Sequence, residues 1–541
     1  MLDLLIKNAR VADGTGNPWY PADIWIQDGK IVDLRESGSC EAAQIIDAGR
    51  QVVCPGFIDV HTHNDIMLTY DTACLSKLMQ GVTTQIVGNC GFSAAPLNDA
   101  TAALLQAYAE PSLGKWAERV PWHSFGEYLS RLEALPLAGH VGALVGSGTV
   151  RMAVKGFARS PMSRAELEQA KAYITEALDS GAMGYSMGLT YTPDNYYTTD
   201  ELTEIAALLA RRGAVMAVHM RGEGDSLLRS IGELLTIAQR TGVRTQISHF
   251  KAAGKNNWNG RIREAMELIE QGRAEGLDIT CDMYPYTACF SQFPFLMPPW
   301  ALEGGIEAAL ERVRRPETRA RIRAEMESRQ ESWDSTIYST GWENVVIAST
   351  VNPAHKELEG LTVAEIARRQ GKQETECGLD LFLENEGRLG FIFFFVSEED
   401  IRTILKWDHA FIASDSTYVN DGVCHPRMFG TNARILRKYV REEKVLPLEQ
   451  AVRKMTAFPA ARFSLKGKGL LLPGYDADLV IFDPETIRDR ASYQEPKQYP
   501  DGISHVIVGG REAVRDGKYI GVCGGNVLRR GRMQQHHPGR R

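Results

Sequence analysis

The 541-residue chain is 44% hydrophobic and 24% charged, which excludes collagenous, coiled-coil and disordered classes and fits a folded soluble protein. Its 61 basic and 68 acidic side chains leave a formal charge of −7, so no global field draws nucleic acid or an anionic membrane. Nine cysteines, odd in number and without paired spacing, argue against a secreted disulfide framework and predict a reducing, cytoplasmic setting.

The opening MLDLLIKNARVADG has no basic flank before an apolar run, so no signal peptide is predicted. Short alternating strands are predicted at Leu4–Ala9, Asp23–Gln27 and Ile31–Leu34, with Asp28-Gly29 as a hairpin turn. The same texture returns at Ala477–Phe482 and His505–Val508, punctuated by Pro473-Gly474 and Asp516-Gly517. Two β-rich ends predict one small β-sandwich domain built from residues 1–53 and 468–523; two separate β extensions are the alternative.

Between the ends, short apolar strands alternate with helical periodicity. Strands are predicted at Gly56–Val60, Thr84–Val87, Val141–Val145, Met183–Ser186, Val215–Val218, Thr245–Ile247, Asp278–Cys281 and Phe411–Ala413. Helical spacing lies between many of them, as at Arg164–Asp179, Glu201–Arg212 and Leu227–Thr241. Eight such α/β units predict a closed (β/α)8 TIM-type barrel over residues 54–467, with its working groups at the C-terminal strand ends. Between the seventh and eighth strands, residues from about 287 to 405 form an insert that includes a charged helical stretch at Ile306–Arg329. No apolar run approaches the ~20 residues that span a bilayer; Phe391–Val396 is only a short buried segment. Residues 524–541 read as a basic, flexible tail, with five arginines and no acids from Arg529 onward.

Polar residues gather at the predicted strand ends. The first strand runs into His61-Thr62-His63, the second into Asn89-Cys90, the fifth into His219, the sixth into His249 and the eighth into Asp415. Alternate positions on a strand share a face, so His61 and His63 point to one spot. Taken singly, each residue has a plainer reading: a core histidine, a small buried thiol, a helix cap. Together they place possible ligands on five of the eight strand ends, and zinc takes such N, S and O donors. His355, His409, His505, His536 and His537 fall outside this register and read as structural or surface residues. A thiolate and two imidazoles, Cys90 with His219 and His249, can hold one metal and leave a position open. A metal at such a site acidifies water, and Asp415 is the carboxylate placed to move its proton during amide hydrolysis.

The run Pro55-Gly56-Phe57-Ile58-Asp59-Val60-His61-Thr62-His63 resembles the opening signature of the amidohydrolase superfamily. Gly88-Asn89-Cys90-Gly91, Ser186-Met187-Gly188-Leu189, His219-Met220-Arg221, Ile247-Ser248-His249, Tyr284-Pro285-Tyr286, Ser414-Asp415-Ser416 and His425-Pro426-Arg427 are similar to the D-aminoacylase branch, the N-acyl-D-amino-acid deacylases. The resemblance runs in order to Pro473-Gly474-Tyr475-Asp476-Ala477-Asp478-Leu479. It implies a barrel with a β-sandwich made from both ends, and a tight Zn2+ site at Cys90, His219 and His249. His61, His63 and Asp415 match a second, weaker site whose occupancy varies in the family. The resemblance maps a clamp for the substrate carboxylate onto Lys251, Tyr284 and Arg427, which suits the fork of Arg and the hydroxyl of Tyr.

Many amidohydrolases bridge two metals with a carboxylated lysine on the fourth strand, but Met183–Leu189 has none, and Cys90 is the candidate for that role. Lys155, the nearest alternative, sits in the wrong loop. Phe250 stands where relatives often carry a second histidine, and the insert and tail make the chain longer than typical members. Phe290, Phe293, Phe295 and Trp300 follow the seventh strand and line a side-chain pocket or form the insert's own core. The expected activity is hydrolysis of small-molecule N-acyl-D-amino acids, with no nucleic-acid or membrane partner and no oligomeric state set by the pattern. A cyclic-amide hydrolase of the dihydroorotase or hydantoinase type is one alternative, disfavoured by the missing lysine. A non-catalytic metal-binding barrel is the other, disfavoured by Asp415.

Overall fold

The computed structural model describes residues 1–36, 41–116, 120–419 and 422–531. Strands from both ends of the chain join in one nine-stranded sheet. Leu2–Val11 pairs antiparallel with Tyr20–Gln27, which pairs with Lys30–Arg35 through a tight turn. Asp28 and Gly29 occupy that turn with φ of 51° and 72°, the left-handed pair that matches the twist of a hairpin. The ends meet where Val52–Pro55 pairs antiparallel with Leu479–Phe482, and the sheet continues through Ile503–Val508 and Arg511–Arg515. Inward residues from both ends, among them Ile6, Ile24, Val53, Leu479, Ile481 and Ile507, fill one apolar core.

The middle of the chain is the barrel. Parallel pairs connect Phe57–Asp59, Val82–Val87 and His140–Ala143 on one side. Val145–Gly146, Gly184–Gly188, Val215–His219, Arg244–Ile247, Ile279–Met283 and Ala410–Ile412 form the other. Short extensions close the ring, with Ser416 opposite Thr62 and Thr417 opposite His63. All eight predicted strands are present. They are buried along nearly their whole length, because helices cover the outside and side chains fill the inside. Helices Arg164–Ser180, Thr199–Arg211 and Leu227–Thr241 begin and end close to the predicted limits. Ser163 and Thr198 cap the first two through reciprocal bonds with Glu166 and Glu201.

Between the seventh and eighth strands lies a small subdomain. Its three-stranded antiparallel sheet has Gly390–Phe394 at the centre, flanked by Ala288–Gln292 and Val345–Ser349. The charged helical stretch is two helices, Ile306–Arg314 and Pro316–Met326, separated because Arg315 before the proline is extended.

The expected tail needs correction in its first part. Residues 524–531 run along the closed end of the barrel instead of into solvent. Val141 N donates to Asn526 O at 3.0 Å, Leu528 N donates to Val141 O at 2.7 Å, and Arg530 N donates to Gly181 O at 3.0 Å. Leu528 is buried against the floor formed with Ile58, Val60, Met183 and Phe411, and Arg529 pairs with Glu133 at 2.6 Å. The basic composition concealed this strap, because backbone bonds and one leucine anchor it alongside its arginines. Residues 532–541, with His536 and His537, lie outside the described residues. Among the described residues, no helix is long and apolar enough to cross a membrane.

Candidate active site

The barrel mouth gathers the predicted ligands from five strands. His61, His63, Cys90, His219, His249 and Asp415 are all buried. One ligand atom each from Cys90, His219 and His249 lies within 4.8 Å of the others, and the same holds for His61, His63, Cys90 and Asp415. Cys90 belongs to both groups. Its Sγ lies 3.2 Å from His61 Nε2 and 3.5 Å from His249 Nε2. Asp415 Oδ1 is 3.3 Å from His61 Nε2 and 3.2 Å from His63 Nε2.

Local backbone aims these groups. Cys90, His249 and Asp415 each follow a strand end in the left-handed region, with φ of 52°, 36° and 50°. Such conformations cost about 1–3 kcal/mol each for a residue with a Cβ, and they persist where the surroundings enforce them. The Cys90 loop is held by close backbone contact: a Cβ on Gly188 would stand 2.1 Å from Cys90 O. Ser186 Oγ donates to Gly88 O at 2.5 Å and accepts from Gly91 N at 3.1 Å, tying the second strand end to the fourth.

The charges suit a cation. Burial alone pushes the Cys90 thiol up, but neighbouring His61 and His249 outweigh it and hold the thiol well below its ordinary range. Burial likewise opposes ionisation of Asp415, and Arg427 and His61 overcome it and hold the carboxyl well below the usual range. His219 is buried with neither ring nitrogen hydrogen-bonded among the described residues, and Nδ1 of His63 is likewise unpartnered. A thiolate, four imidazoles and a carboxylate in one buried cluster fit zinc's preferred donors, and the residues present fit the metal.

The expected clamp stands on the seventh- and eighth-strand side of this cluster. The Tyr284 ring has two cations close by, with the Arg427 guanidinium 4.7 Å and the Lys251 ammonium 5.7 Å from its centroid. The Tyr284 hydroxyl and Arg427 Nε are buried without a hydrogen-bond partner. Arg427 Nη1 also makes an ion pair with Asp415 Oδ2 at 2.8 Å. Lys251 is turned inward: Nζ donates to Glu223 Oε1 at 2.8 Å and to His249 O at 2.9 Å.

Several supporting residues escaped the sequence reading. Asp282 Oδ1 lies 3.2 Å from His61 Nδ1 and accepts from His249 N at 2.8 Å, steadying two ligands at once. Under the site, buried Lys77 Nζ donates to Asp59 Oδ2 at 2.7 Å and to Ser414 Oγ at 2.6 Å, joining the first and last strands. Asp59 alternates with His61 and His63, and Ser414 precedes Asp415, so both were within sight in sequence. Lys77 lies in a separate helix and gave no signal. Glu223, four residues beyond His219, carried only its spacing.

All four aromatic residues left between pocket and insert core pack within the subdomain, Phe295 on Phe393 at 5.7 Å, and Phe295 also reaches the mouth. Phe293 stacks on Phe382 at 4.8 Å, Phe290 is buried in a cluster with Ile392 and Met428, and Trp300 lies under the Arg321 guanidinium at 4.0 Å. Phe295 packs on Tyr191 at 5.8 Å, and the Tyr191 ring meets His219 edge-on at 4.9 Å. Tyr191 is thus a further residue of the mouth. Lys155 is elsewhere, paired with Glu166 at 2.9 Å. His355 pairs with Glu384 and His505 with Glu512, while His409 lies 3.4 Å from Glu270.

The amidohydrolase family model matches residues 44–514, a span that contains every strand-end ligand candidate. The chain belongs to the amidohydrolase family. It is 33% identical over 511 residues to N-acyl-D-glutamate deacylase of Alcaligenes xylosoxydans xylosoxydans, covering 94% of this chain and 93% of that one. D-aminoacylase of the same organism is 33% identical over 536 residues, covering 98% of each. Among solved structures, N-acyl-D-glutamate deacylase of Bordetella bronchiseptica, complexed with zinc and a phosphonate inhibitor, matches with a TM-score of 0.82 and 32% identity. The match covers 98% of this chain and 99% of that one. This amidohydrolase therefore shares its barrel and sheet architecture with D-aminoacylases over nearly its full length.

Proposed function

We propose that this amidohydrolase is a zinc-dependent N-acyl-D-amino-acid deacylase, releasing a D-amino acid and a carboxylate. The observation that carries this reading is the conjunction at the barrel mouth. A buried Cys90–His219–His249 donor set stands beside an ionised carboxylate, Asp415, and a buried guanidinium and phenol whose donors are not fully used. D-stereochemistry comes from the relatives' activities; the donor set itself supports amide hydrolysis.

Cys90, His219 and His249 hold the tight zinc, and His61, His63 and Asp415 form the weaker second position. When bound, zinc supplies Lewis acidity, polarising the amide carbonyl and making water acidic enough to attack it near neutral pH. Arg427 and Tyr284 receive the substrate's free carboxylate, with Lys251 adding positive charge beside the Tyr284 ring. Binding there fixes the amide over Asp415. Asp415 takes a proton from the attacking water as the new C–O bond forms. It then delivers that proton to the departing nitrogen as the C–N bond breaks, so the amine leaves neutral. Tyr191 and Phe295 offer an aromatic wall on which, among the described residues, no cation stacks, which favours D-amino acids with apolar side chains over acidic ones.

The cyclic-amide alternative has no support at the fourth strand, where Gly184–Gly188 carries no lysine. Chelation tests the reading: removing the metal should abolish amide hydrolysis, and added zinc should restore it. Hydrolysis that persists in metal-free protein would contradict it. Arg427→Gln should raise KM by about 10- to 100-fold, the effect of losing a charged hydrogen bond, while a methyl-ester substrate should lose less.

A further inference from the structure

Glu223 lies in the loop after the fifth barrel strand, and neither the expected ligands nor the expected clamp includes it. It is 6% exposed, and its carboxyl is held near 2 by Lys251, His219 and His249 in spite of burial. Its Oε1 lies 3.0 Å from His249 Nδ1 and 2.8 Å from Lys251 Nζ. Oε2 is 3.5 Å from His219 Nε2, a charge contact rather than a formed hydrogen bond. One carboxylate thus touches two expected zinc ligands and one expected clamp cation.

The crowding at His249 Nδ1 has a consequence. Lys251 Nζ is itself only 2.9 Å from that nitrogen. Neutral imidazole carries one proton, and the nitrogen that binds a metal must be bare. His249 Nε2 faces Cys90 Sγ, so ligation requires the proton on Nδ1. Glu223 Oε1, 3.0 Å from Nδ1, is the carboxylate oxygen within reach of that proton, and its negative charge favours this tautomer. A Lys251 ammonium left alone would donate to Nδ1 instead, driving the proton to Nε2 and blocking the lone pair.

We propose that Glu223 is a positioning residue: by accepting from both His249 Nδ1 and Lys251 Nζ, it keeps His249 in the tautomer that binds zinc and holds Lys251 beside Tyr284. The inference rests on the zinc reading above and concerns how this chain prepares its own ligand. Carboxylates in this relation to a ligating histidine commonly govern metal affinity by 10- to 100-fold.

Zinc affinity, measured by chelator competition on the full-length protein, tests it without reliance on turnover. E223Q keeps the shape and removes the charge; it should bind zinc about 10- to 100-fold more weakly. E223D should fall between E223Q and the parent, and it serves the same comparison if E223Q does not fold. The double variant E223Q/K251M should regain part of the lost affinity, because the competing ammonium is gone. A merely structural ion pair would not produce that recovery in metal affinity. Zinc binding by E223Q equal to the parent, or no recovery in the double variant, would overturn the assignment while leaving the deacylase reading intact. A parent protein that binds no zinc would overturn both.

Discussion

Asp415 and Cys90 separate chemistry from metal retention. Asp415→Asn removes the proton carrier but leaves Cys90, His219 and His249, so zinc content should persist while kcat falls by about 10²- to 10⁴-fold. Metal analysis and initial rates on one preparation check both halves; an unchanged rate would remove Asp415 from its role. Cys90→Ala should instead empty the site, because Cys90 is common to both donor groups and its thiolate is the anionic partner of two histidines. Full zinc occupancy in that variant would move the tight site elsewhere. At this scale, the ligands were legible because each follows a strand end. The alternation of His61 with His63 and the breaks at Cys90, His249 and Asp415 are local features. The groups that hold them were less legible. Lys77 reaches Asp59 and Ser414 from a different element, and Glu223 meets Lys251 across two loops. Such pairings depend on barrel closure, which residue order alone does not display.

Among the elements, the barrel strands were readable from apolar runs of strand length, since both their faces are covered. The closing pair Thr62–His63 with Ser416–Thr417 was hidden, because two-residue strands carry no periodicity. The insert was visible as excess length with charged helices. Its central strand Gly390–Phe394, too apolar to show alternation, was read only as a buried segment. The C-terminal strap was misjudged on charge. Leu528, at 3% exposure, sits against the barrel floor, so Leu528→Ala should cost about 2–5 kcal/mol. Thermal unfolding of that variant should occur clearly below the parent's, and an unaltered midpoint would show that the strap adds no stability.

For the molecule as a whole, the join between sheet and barrel is ionic as well as apolar. Asp478, from the sheet side, accepts from Lys468 at 2.6 Å and lies 3.0 Å from His140 Nε2 on the third barrel strand. Burial opposes its charge, but His140 and Lys468 hold its carboxyl far below the usual carboxylate range. A carboxyl lowered in the folded state stabilises the fold fully above its unfolded pKa of about 3.9, and that contribution is lost progressively as pH falls from there through the lower folded pKa. Asp478→Asn should therefore lose stability near pH 7 and show a shallower acid decline than the parent. Denaturation midpoints across that range check the sign, and parallel curves would contradict it. The joining of the two chain ends was legible in their shared β texture, whereas this buried triad was not, since His140 and Lys468 stand more than three hundred residues apart.

The central claim is deacylation of N-acyl-D-amino acids. Its most direct test is amine release from matched N-acetyl-D- and N-acetyl-L-amino acids with apolar and acidic side chains, using zinc-loaded protein. Release should come from the D series, strongest for apolar side chains, and none from the L series. No release from either series, with the protein folded and zinc bound, would contradict it.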